Sequence, residues 1–150
     1  MARAPFRHIL VLIDGTESAI QAAKYAIQLA RSSKAQLTAI AIVDTATLKH
    51  LLSASIMVAA EMEEYQLELS DSGRKQLDYV ASLAKDEGVK LNTSLLKGAA
   101  HAAVLAEQKS SGADLIVIGA FRWTLSQRDQ IARERQLLLD ESPCPILFVR

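Results

Sequence analysis

The sequence predicts an α/β domain built on a doubly wound parallel sheet. Five short β-rich runs alternate along the chain with longer segments whose apolar residues recur at helical spacing. Four of the five runs are apolar along most of their length, which is typical of strands buried on both faces. Strands that alternate with helices lie parallel and are joined by right-handed crossovers, so we expect helices on both faces of the sheet. Neither a repeat nor a linker divides residues 1–150, which predicts a single domain.

The predicted strands differ in one respect, their polarity. They cover residues 7–13, 36–43, 89–96, 114–118 and 145–149. In the third strand apolar and polar residues alternate, which suits a position near a sheet edge. The fifth strand is apolar and begins at Pro145, a residue that is tolerated at the first position of a strand. An apolar strand at an edge favours pairing with another chain.

The segments between the strands have the apolar spacing of helices. The predicted helices cover residues 17–31, 61–86, 99–110 and 127–140. An alanine stripe marks the first helix, and either Asp14 or Thr16 is its expected N-cap. The second helix is weakly interrupted around 70–73. Ser126 and Asp129 form a capping-box pattern at the start of the last helix.

Residues 44–60 make the second crossover unusually long, and most of this segment is apolar. An apolar run after the carboxyl end of a strand is a poor candidate for a solvated loop. We expect this insert to be either an extra helical piece on the core or a surface for a protein partner.

Charge and composition exclude several classes of partner. The 17 Lys and Arg residues balance 17 Asp and Glu residues, and this zero net charge argues against binding to nucleic acid or to an anionic membrane. The apolar run at 9–13 is too short for a signal peptide, and the uncharged stretch at 50–60 is too short to span a bilayer. Cys144 is the single cysteine, so no intramolecular disulfide is expected. We therefore expect a cytoplasmic location.

The sequence offers little support for catalysis. The three histidines, His8, His50 and His101, lack the paired spacing of metal ligands, so we expect no metal site. His50, beside the apolar insert, is a candidate pH sensor, although an exposed bystander is the favoured interpretation. Cys144 enters an apolar strand between two prolines, which favours a buried unreactive thiol over a redox group. Neither a nucleophile elbow nor a Walker loop occurs, so we do not expect an enzyme.

In open α/β sheets, ligands bind beyond the carboxyl ends of the strands, where the strand order reverses. Segments 13–18, 43–44 and 118–123 follow predicted strands at this edge. These are the places where a binding site is expected.

Four segments and Gly98 resemble the universal stress protein family, in order along the whole chain. The segments are HILVLIDGTESAIQAAKYAIQLA at 8–30, LTAIAIVD at 37–44, GADLIVIGA at 112–120 and SPCPILFVR at 142–150. The resemblance implies a five-stranded sheet of the adenine-nucleotide-binding type with strand order 3-2-1-4-5. It also implies a homodimer formed through strand 145–149 and a function in stress survival.

The same resemblance implies an adenine-nucleotide pocket. Asp14 matches the acidic residue that contacts the ribose, and the backbone of Val43 matches the position that meets the adenine. Gly119 matches the first glycine of a phosphate loop of the form G-x2-G-x9-G-[S/T]. The pair Asp14-Gly15 is explained equally well as a sharp strand-to-helix turn with Asp14 as the cap.

The phosphate loop departs from the family pattern after Gly119. Arg122 stands at the second glycine position, and Ala132 and Arg133 stand at the third glycine and its Ser/Thr. Glycines in such loops let backbone N–H groups approach phosphate oxygens, and larger side chains obstruct that approach. Trp123 either fills the vacated phosphate pocket or anchors a loop. Arginines at 122, 128, 133 and 135 leave open an anion site made by side chains.

We therefore expect a non-enzymatic stress-response homodimer with a degenerate nucleotide pocket formed by Asp14, Gly15, Val43, Gly119 and Arg122. No cofactor is firmly indicated, and ATP and AMP are the candidate ligands. The alternative is an ATP- or AMP-binding sensor, or a slow ATPase, of the same family. A third hypothesis is a protein partner bound at residues 45–60.

Overall fold

The computed structural model describes residues 5–55, 58–119 and 128–150, with the side chains at 46–47, 50–51 and 128–131 also outside the description. The elements in chain order are β1 (His8–Ile13), α1 (Glu17–Ser33), β2 (Gln36–Val43), α2 (Thr45–Ser53), α3 (Ala59–Asp86), β3 (Leu91–Lys97), α4 (Ala100–Ser111), β4 (Leu115–Gly119), α5 (Arg128–Glu141) and β5 (Ile146–Val149). The strands form one parallel sheet in the order β3-β2-β1-β4-β5. Both the fold class and the strand order are confirmed.

The sheet separates two hydrophobic clusters, which explains why its strands are apolar without alternation. In β1, Ile9, Val11 and Ile13 belong to the cluster shared with α1 and α3. Leu10 and Leu12 point the other way and join the cluster that includes residues of α4 and α5. Because each position from Ile9 to Ile13 faces one cluster or the other, this part of the strand has no polar face.

Helix α1 packs on the sheet through its predicted alanine stripe. The buried residues are Ser18, Ala19, Ala22, Ala23, Ala26, Ile27 and Ala30. Small side chains let the helix axis approach the strands closely. Of the two predicted caps, Thr16 is the N-cap: its hydroxyl oxygen accepts a hydrogen bond from the backbone N–H of Ala19 at 3.1 Å.

Helix α3 runs without a break through residues 70–73, where the apolar spacing of the sequence is weakly interrupted. Gly73 is buried and faces the sheet. A Cβ on this residue would lie 2.9 Å from Cδ1 of Leu95 on β3 and 3.5 Å from Cβ of Ala41 on β2. The glycine therefore lets α3 approach the sheet, and packing maintains the helix despite the low helix propensity of glycine.

The apolar insert is partly helical, as one of the two hypotheses expected. Helix α2 buries Leu48, which fixes this segment to the core. In contrast, Leu52 is 43% exposed and Val58 is 61% exposed. The partner surface proposed for residues 45–60 stays a prediction. Across the described ranges, no helix is both long enough and apolar enough to cross a bilayer.

The two edges of the sheet are β3 and β5, so the predicted edge position of the third strand is confirmed. On β5, Phe148 is 36% exposed, and the guanidinium carbon of Arg135 lies 5.6 Å from its ring centroid. Cys144, just before β5, was expected to be buried but is only partly so. The cause is its place in the turn that leads into an edge strand. Its Sγ lies 3.7 Å from Oγ of Ser142.

Candidate functional site at the carboxyl edge of the sheet

The strand order reverses between β1 and β4, and this reversal defines the expected binding crevice. Strand β1 ends at Ile13, whose register partner on β2 is Ala41. Val43 ends β2 and Gly119 ends β4. Asp14 directly follows β1, so the fold brings the three positions implied by the resemblance to one edge of the sheet.

Asp14 shapes the turn between β1 and α1. Its Oδ1 accepts hydrogen bonds from the backbone N–H of Thr16 at 3.0 Å and from the Thr16 hydroxyl at 2.6 Å. Thr16 in turn caps α1, so the carboxylate indirectly orients the first turn of that helix. Both bonds use Oδ1, and Oδ2 of the exposed carboxylate retains acceptor capacity. The turn and the ribose interpretations are therefore compatible.

The backbone conformation favours glycine at position 15, and a side chain there would also displace the end of Gln76. Its φ of +83° lies in the left-handed region, which residues other than glycine rarely adopt. A Cβ would also lie 2.8 Å from Nε2 of Gln76, on α3. The Gln76 amide is held by a hydrogen bond to Oγ of Ser72 at 3.1 Å. Sequence reasoning missed Gln76, because no local pattern signals a contact across 61 residues.

Val43 is 2% exposed and presents its backbone at the edge of the sheet. Its carbonyl oxygen accepts a hydrogen bond from the N–H of Gly98 at 3.1 Å. This bond closes the turn between β3 and α4 against the end of β2. A carbonyl oxygen has two lone pairs, and this bond uses one of them.

Packing against α1 explains why residue 119 is a glycine. A Cβ at this position would lie 2.6 Å from the backbone carbon of Ser18 and 2.7 Å from the backbone nitrogen of Ala19. These distances are far below van der Waals contact, and the atoms belong to the first turn of α1. Only glycine lets α1 begin directly against the end of β4.

The rest of the presumed phosphate loop lies outside the described residues. This applies to Arg122, to Trp123 and to Ser126 of the predicted capping box. The anion contact predicted for Arg122 therefore stays a prediction. Arg133, in the described part of α5, is exposed.

A second polar contact joins α4 to α5 and was not predicted. The N-cap of α4 is Ala99, which provides no side-chain cap. Instead Oε2 of Glu134, on α5, accepts the backbone N–H of His101 at 3.0 Å. The same oxygen lies 2.6 Å from Nδ1 of His101. Glu134 thus caps a neighbouring helix, across 33 residues of sequence.

Of the other two histidines, His8 lies on β1 and has a described side chain. Nε2 of His8 lies 2.9 Å from the hydroxyl of Thr38, which makes His8 a hydrogen-bonded residue of β1. The side chain of His50 lies outside the description, so its proposed pH sensing is untested. Within the described ranges, no group of three or more His, Cys, Asp or Glu residues could hold a metal ion.

Comparison with known proteins identifies the family. The model of the universal stress protein family matches residues 5–150. The chain belongs to this family. The universal stress protein MJ0531 of Methanocaldococcus jannaschii is 27% identical over 146 residues, which cover 97% of this chain and 82% of that relative.

Two solved structures of the family contain adenine nucleotides. A universal stress protein in complex with cAMP superposes with a TM-score of 0.68 at 20% identity, and 97% of each chain is covered. A universal stress protein from Archaeoglobus fulgidus in complex with dAMP superposes with a TM-score of 0.65 at 13% identity, covering 96% of this chain and 98% of that one. At these identities the likeness shows the shared fold.

Proposed function

We propose that this protein is a non-enzymatic stress-response binding module that works as a homodimer. Its degenerate pocket at the carboxyl edge of the sheet takes an adenine nucleotide through the nucleoside. Asp14, Gly15 and Val43 form the nucleoside end of this pocket. Gly119 and Arg122 are assigned to the phosphate end on the basis of the sequence pattern. Nucleoside monophosphates such as AMP are the expected ligand class, and ATP gains little from its additional phosphates.

The nucleoside end retains the groups that binding requires. Oδ2 of Asp14 is available to accept a ribose hydroxyl, and the second lone pair of the Val43 carbonyl is the proposed acceptor for an adenine amino group. The turn that carries Asp14 is fixed by Thr16 and by the left-handed Gly15, so the carboxylate is held in place before a ligand arrives. The nucleotides named for the two related structures are monophosphates, which agrees with this expectation.

The single observation that carries the proposal concerns the phosphate end. Gly119, the one glycine retained from the loop pattern, is already required by the first turn of α1. The other glycine positions hold Arg122 and Ala132. Asp14 and Glu17 also place two carboxylates at the start of α1, which opposes an anion at that helix end. A backbone cradle for a triphosphate therefore lacks support in this chain.

Calorimetric titration with AMP and with ATP tests the pocket. We expect AMP to bind with a Kd of about 0.1–1 mM and ATP to bind no more than threefold tighter. Asp14→Ala should weaken AMP binding about tenfold, because a hydrogen bond to a charged group is lost. Asp78→Ala, an exposed carboxylate on α3, is the matched control and should bind like the wild type. ATP binding more than tenfold tighter than AMP binding would contradict the degenerate phosphate end.

The alternative function, an ATP-binding sensor or slow ATPase, rests on the retained positions Asp14 and Val43 and on the arginines near α5. Phosphate release from ATP and Mg²⁺ distinguishes the two functions. Turnover that disappears in Asp14→Ala and persists in Asp78→Ala would favour the slow ATPase over the non-enzymatic module.

The homodimer proposal rests on β5, which pairs with β4 on one side and leaves its other edge unpaired within the sheet. Its exposed Phe148 ring is covered in part by Arg135. A second copy of the strand would satisfy the free edge and bury this ring, as the family resemblance implies.

Phe148→Glu is expected to weaken the homodimer at least tenfold, because it places a carboxylate in the apolar part of the proposed interface. Sedimentation equilibrium over a concentration series measures the dimer dissociation constant. Tyr79→Glu, at an exposed aromatic residue on α3, should leave the dimer dissociation constant unchanged. Equal dissociation constants for the two variants would place the interface elsewhere.

A further inference from the structure

The opposite edge of the sheet carries a cleft that the nucleotide pocket does not use. Its volume is about 380 Å³, near the lower end of the range of small-molecule sites. The lining residues come from the end of α1 and the turn after it, from the start of β2, from the segment joining α3 to β3 and from the start of β3. They are Ala30, Arg31, Lys34, Ala35, Gln36, Gly88, Val89, Lys90 and Asn92. Because strands β2 and β3 begin here, the cleft lies at the amino-terminal edge of the sheet.

At each of the two helix ends beside the cleft, two terminal carbonyl groups accept capping hydrogen bonds. At the end of α1, the Ala30 carbonyl accepts hydrogen bonds from the N–H groups of Lys34 and Ala35. At the end of α3, the Ala84 carbonyl accepts the N–H of Val89. Unsatisfied carbonyls are what make a helix C-terminus repel anions, and capping bonds of this kind weaken that effect. The capping bonds therefore weaken the negative ends of α1 and α3, and the side-chain charges act beside them.

Those side-chain charges are positive. Arg31, Lys34 and Lys90 line the cleft, whereas the described lining contains no carboxylate. Arg31 forms an exposed ion pair with Glu87 at 2.9 Å, which reduces the positive charge that Arg31 contributes to the cleft. Among the residues that the structure describes, no carboxylate pairs with the ammonium group of Lys34 or Lys90. Two cations thus remain for an external anion.

Lys34 adopts a backbone conformation that favours glycine. Its φ of 53° and ψ of 36° are left-handed, and the corresponding residue after α4 is Gly112, with φ of 71°. A lysine in this conformation is less stable than a glycine. What lysine adds at this position is a positive charge on a residue that lines the cleft. We take the left-handed conformation of this lysine as a second indication that its side chain has a function.

We propose that this cleft binds a small phosphate-bearing metabolite, independently of the nucleotide pocket. Lys34 and Lys90 contact the phosphate group, with Arg31 as a third cation. The side-chain amides of Gln36 and Asn92 offer both donors and acceptors to hydroxyl groups on the body of the ligand. The polar lining and the small volume favour a compact phosphate ester over a large apolar ligand.

Titration of the ¹⁵N-labelled protein with inorganic phosphate and with glycerol 3-phosphate tests the proposal. Chemical-shift changes of backbone amides should cluster at residues 34–36 and 88–92. Glycerol 3-phosphate should bind more tightly than inorganic phosphate if the side-chain amides of Gln36 and Asn92 contact its hydroxyls. Equal affinities would assign the site to the phosphate group alone. Shifts confined to the carboxyl edge, at Asp14 and its neighbours, would overturn the proposal while leaving the nucleotide pocket supported.

Variants that remove charge distinguish binding at this cleft from a general electrostatic attraction of the anion to the protein. The double variant Lys34→Gln/Lys90→Gln should weaken binding at least tenfold, and 0.5 M NaCl should weaken binding by the wild type. Lys75→Gln/Lys109→Gln removes the same charge from exposed positions outside the cleft and should change binding less than twofold. If the two double variants weakened binding equally, net charge alone would account for the loss of affinity, and the proposal would be overturned.

Lys34→Gly distinguishes a binding defect from a folding defect. This variant relieves the left-handed strain, so its thermal midpoint should rise by a few degrees. Its affinity for glycerol 3-phosphate should nevertheless fall about threefold. A more stable protein that keeps full affinity would show that Lys34 is not a ligand-binding residue.

Discussion

Gly119→Ala is expected to lower the free energy of unfolding by about 3 kcal/mol, the upper part of the range for overpacked core positions. The added methyl group would lie 2.6–2.7 Å from backbone atoms of Ser18 and Ala19, which cannot move aside as a flexible side chain can. Relief requires shifting either the first turn of α1 or the end of β4. Denaturant unfolding measures the effect as a lower midpoint at an unchanged m-value.

Two other glycines serve as controls for this substitution. A methyl group at Gly73 meets the end of the Leu95 side chain, and alanine also improves helix propensity, so Gly73→Ala should stay within about 1 kcal/mol of the wild type. Gly88 has φ of +70° and open space around it, so Gly88→Ala isolates a backbone cost of about 1 kcal/mol. Equal stability of the three variants would refute the steric explanation of Gly119.

The interpretation of Gly119 matters for function. In the family pattern this residue begins a phosphate loop, and a glycine there is readily attributed to phosphate binding. The contact with α1 provides a reason for glycine that needs no ligand. Retention of Gly119 in this chain is therefore weak support for ATP binding, whereas Asp14 and Val43 support a nucleoside contact.

The fold was predictable because its signals are local and repeated. Strand β1 is apolar at consecutive positions, and α1 repeats small residues along one face, so each pattern specifies both the element and its buried side. The alternation of such elements then specifies a parallel sheet. The strand order, in contrast, came from the family resemblance, since periodicity alone does not specify which strands are neighbours.

Tertiary contacts explain two features that the local patterns do not. The apolar spacing of the second predicted helix is weakly interrupted around residues 70–73, and Gly73 in this stretch lets α3 approach Leu95. Cys144 was expected to be buried because it enters an apolar strand. That strand lies at the edge of the sheet, and the turn before it stays partly exposed.

At the candidate site, the sequence predicted only the contacts between residues close together in the chain. The Asp14–Thr16 turn involves residues two apart, and its capping chemistry is visible in the sequence. The contacts of Gln76 with the Gly15 turn and of Glu134 with His101 join distant segments, so no spacing rule reveals them. These long-range contacts join α3 to the turn between β1 and α1, and α5 to α4.

Glu134→Ala is expected to lower the free energy of unfolding by about 2 kcal/mol. The substitution removes the cap that α5 supplies to α4 and leaves the His101 N–H without its carboxylate acceptor. The side chains of His101 and Glu134 are only 21% and 26% exposed, so water replaces this contact poorly. Denaturant unfolding measures the loss, and hydrogen exchange should show faster opening of the first turn of α4. Glu141→Ala, at the exposed end of α5, should change stability by less than about 0.5 kcal/mol.

A double-mutant cycle with His101→Ala separates the two bonds that Glu134 makes. The backbone N–H at position 101 survives this substitution, whereas the imidazole contact at 2.6 Å does not. If capping dominates, Glu134→Ala should cost nearly as much in the His101→Ala background as in the wild type. If the ring contact dominates, most of that cost should disappear, which appears as a coupling energy of about 1 kcal/mol or more. Because α4 offers no side-chain cap of its own at Ala99, we expect the first result.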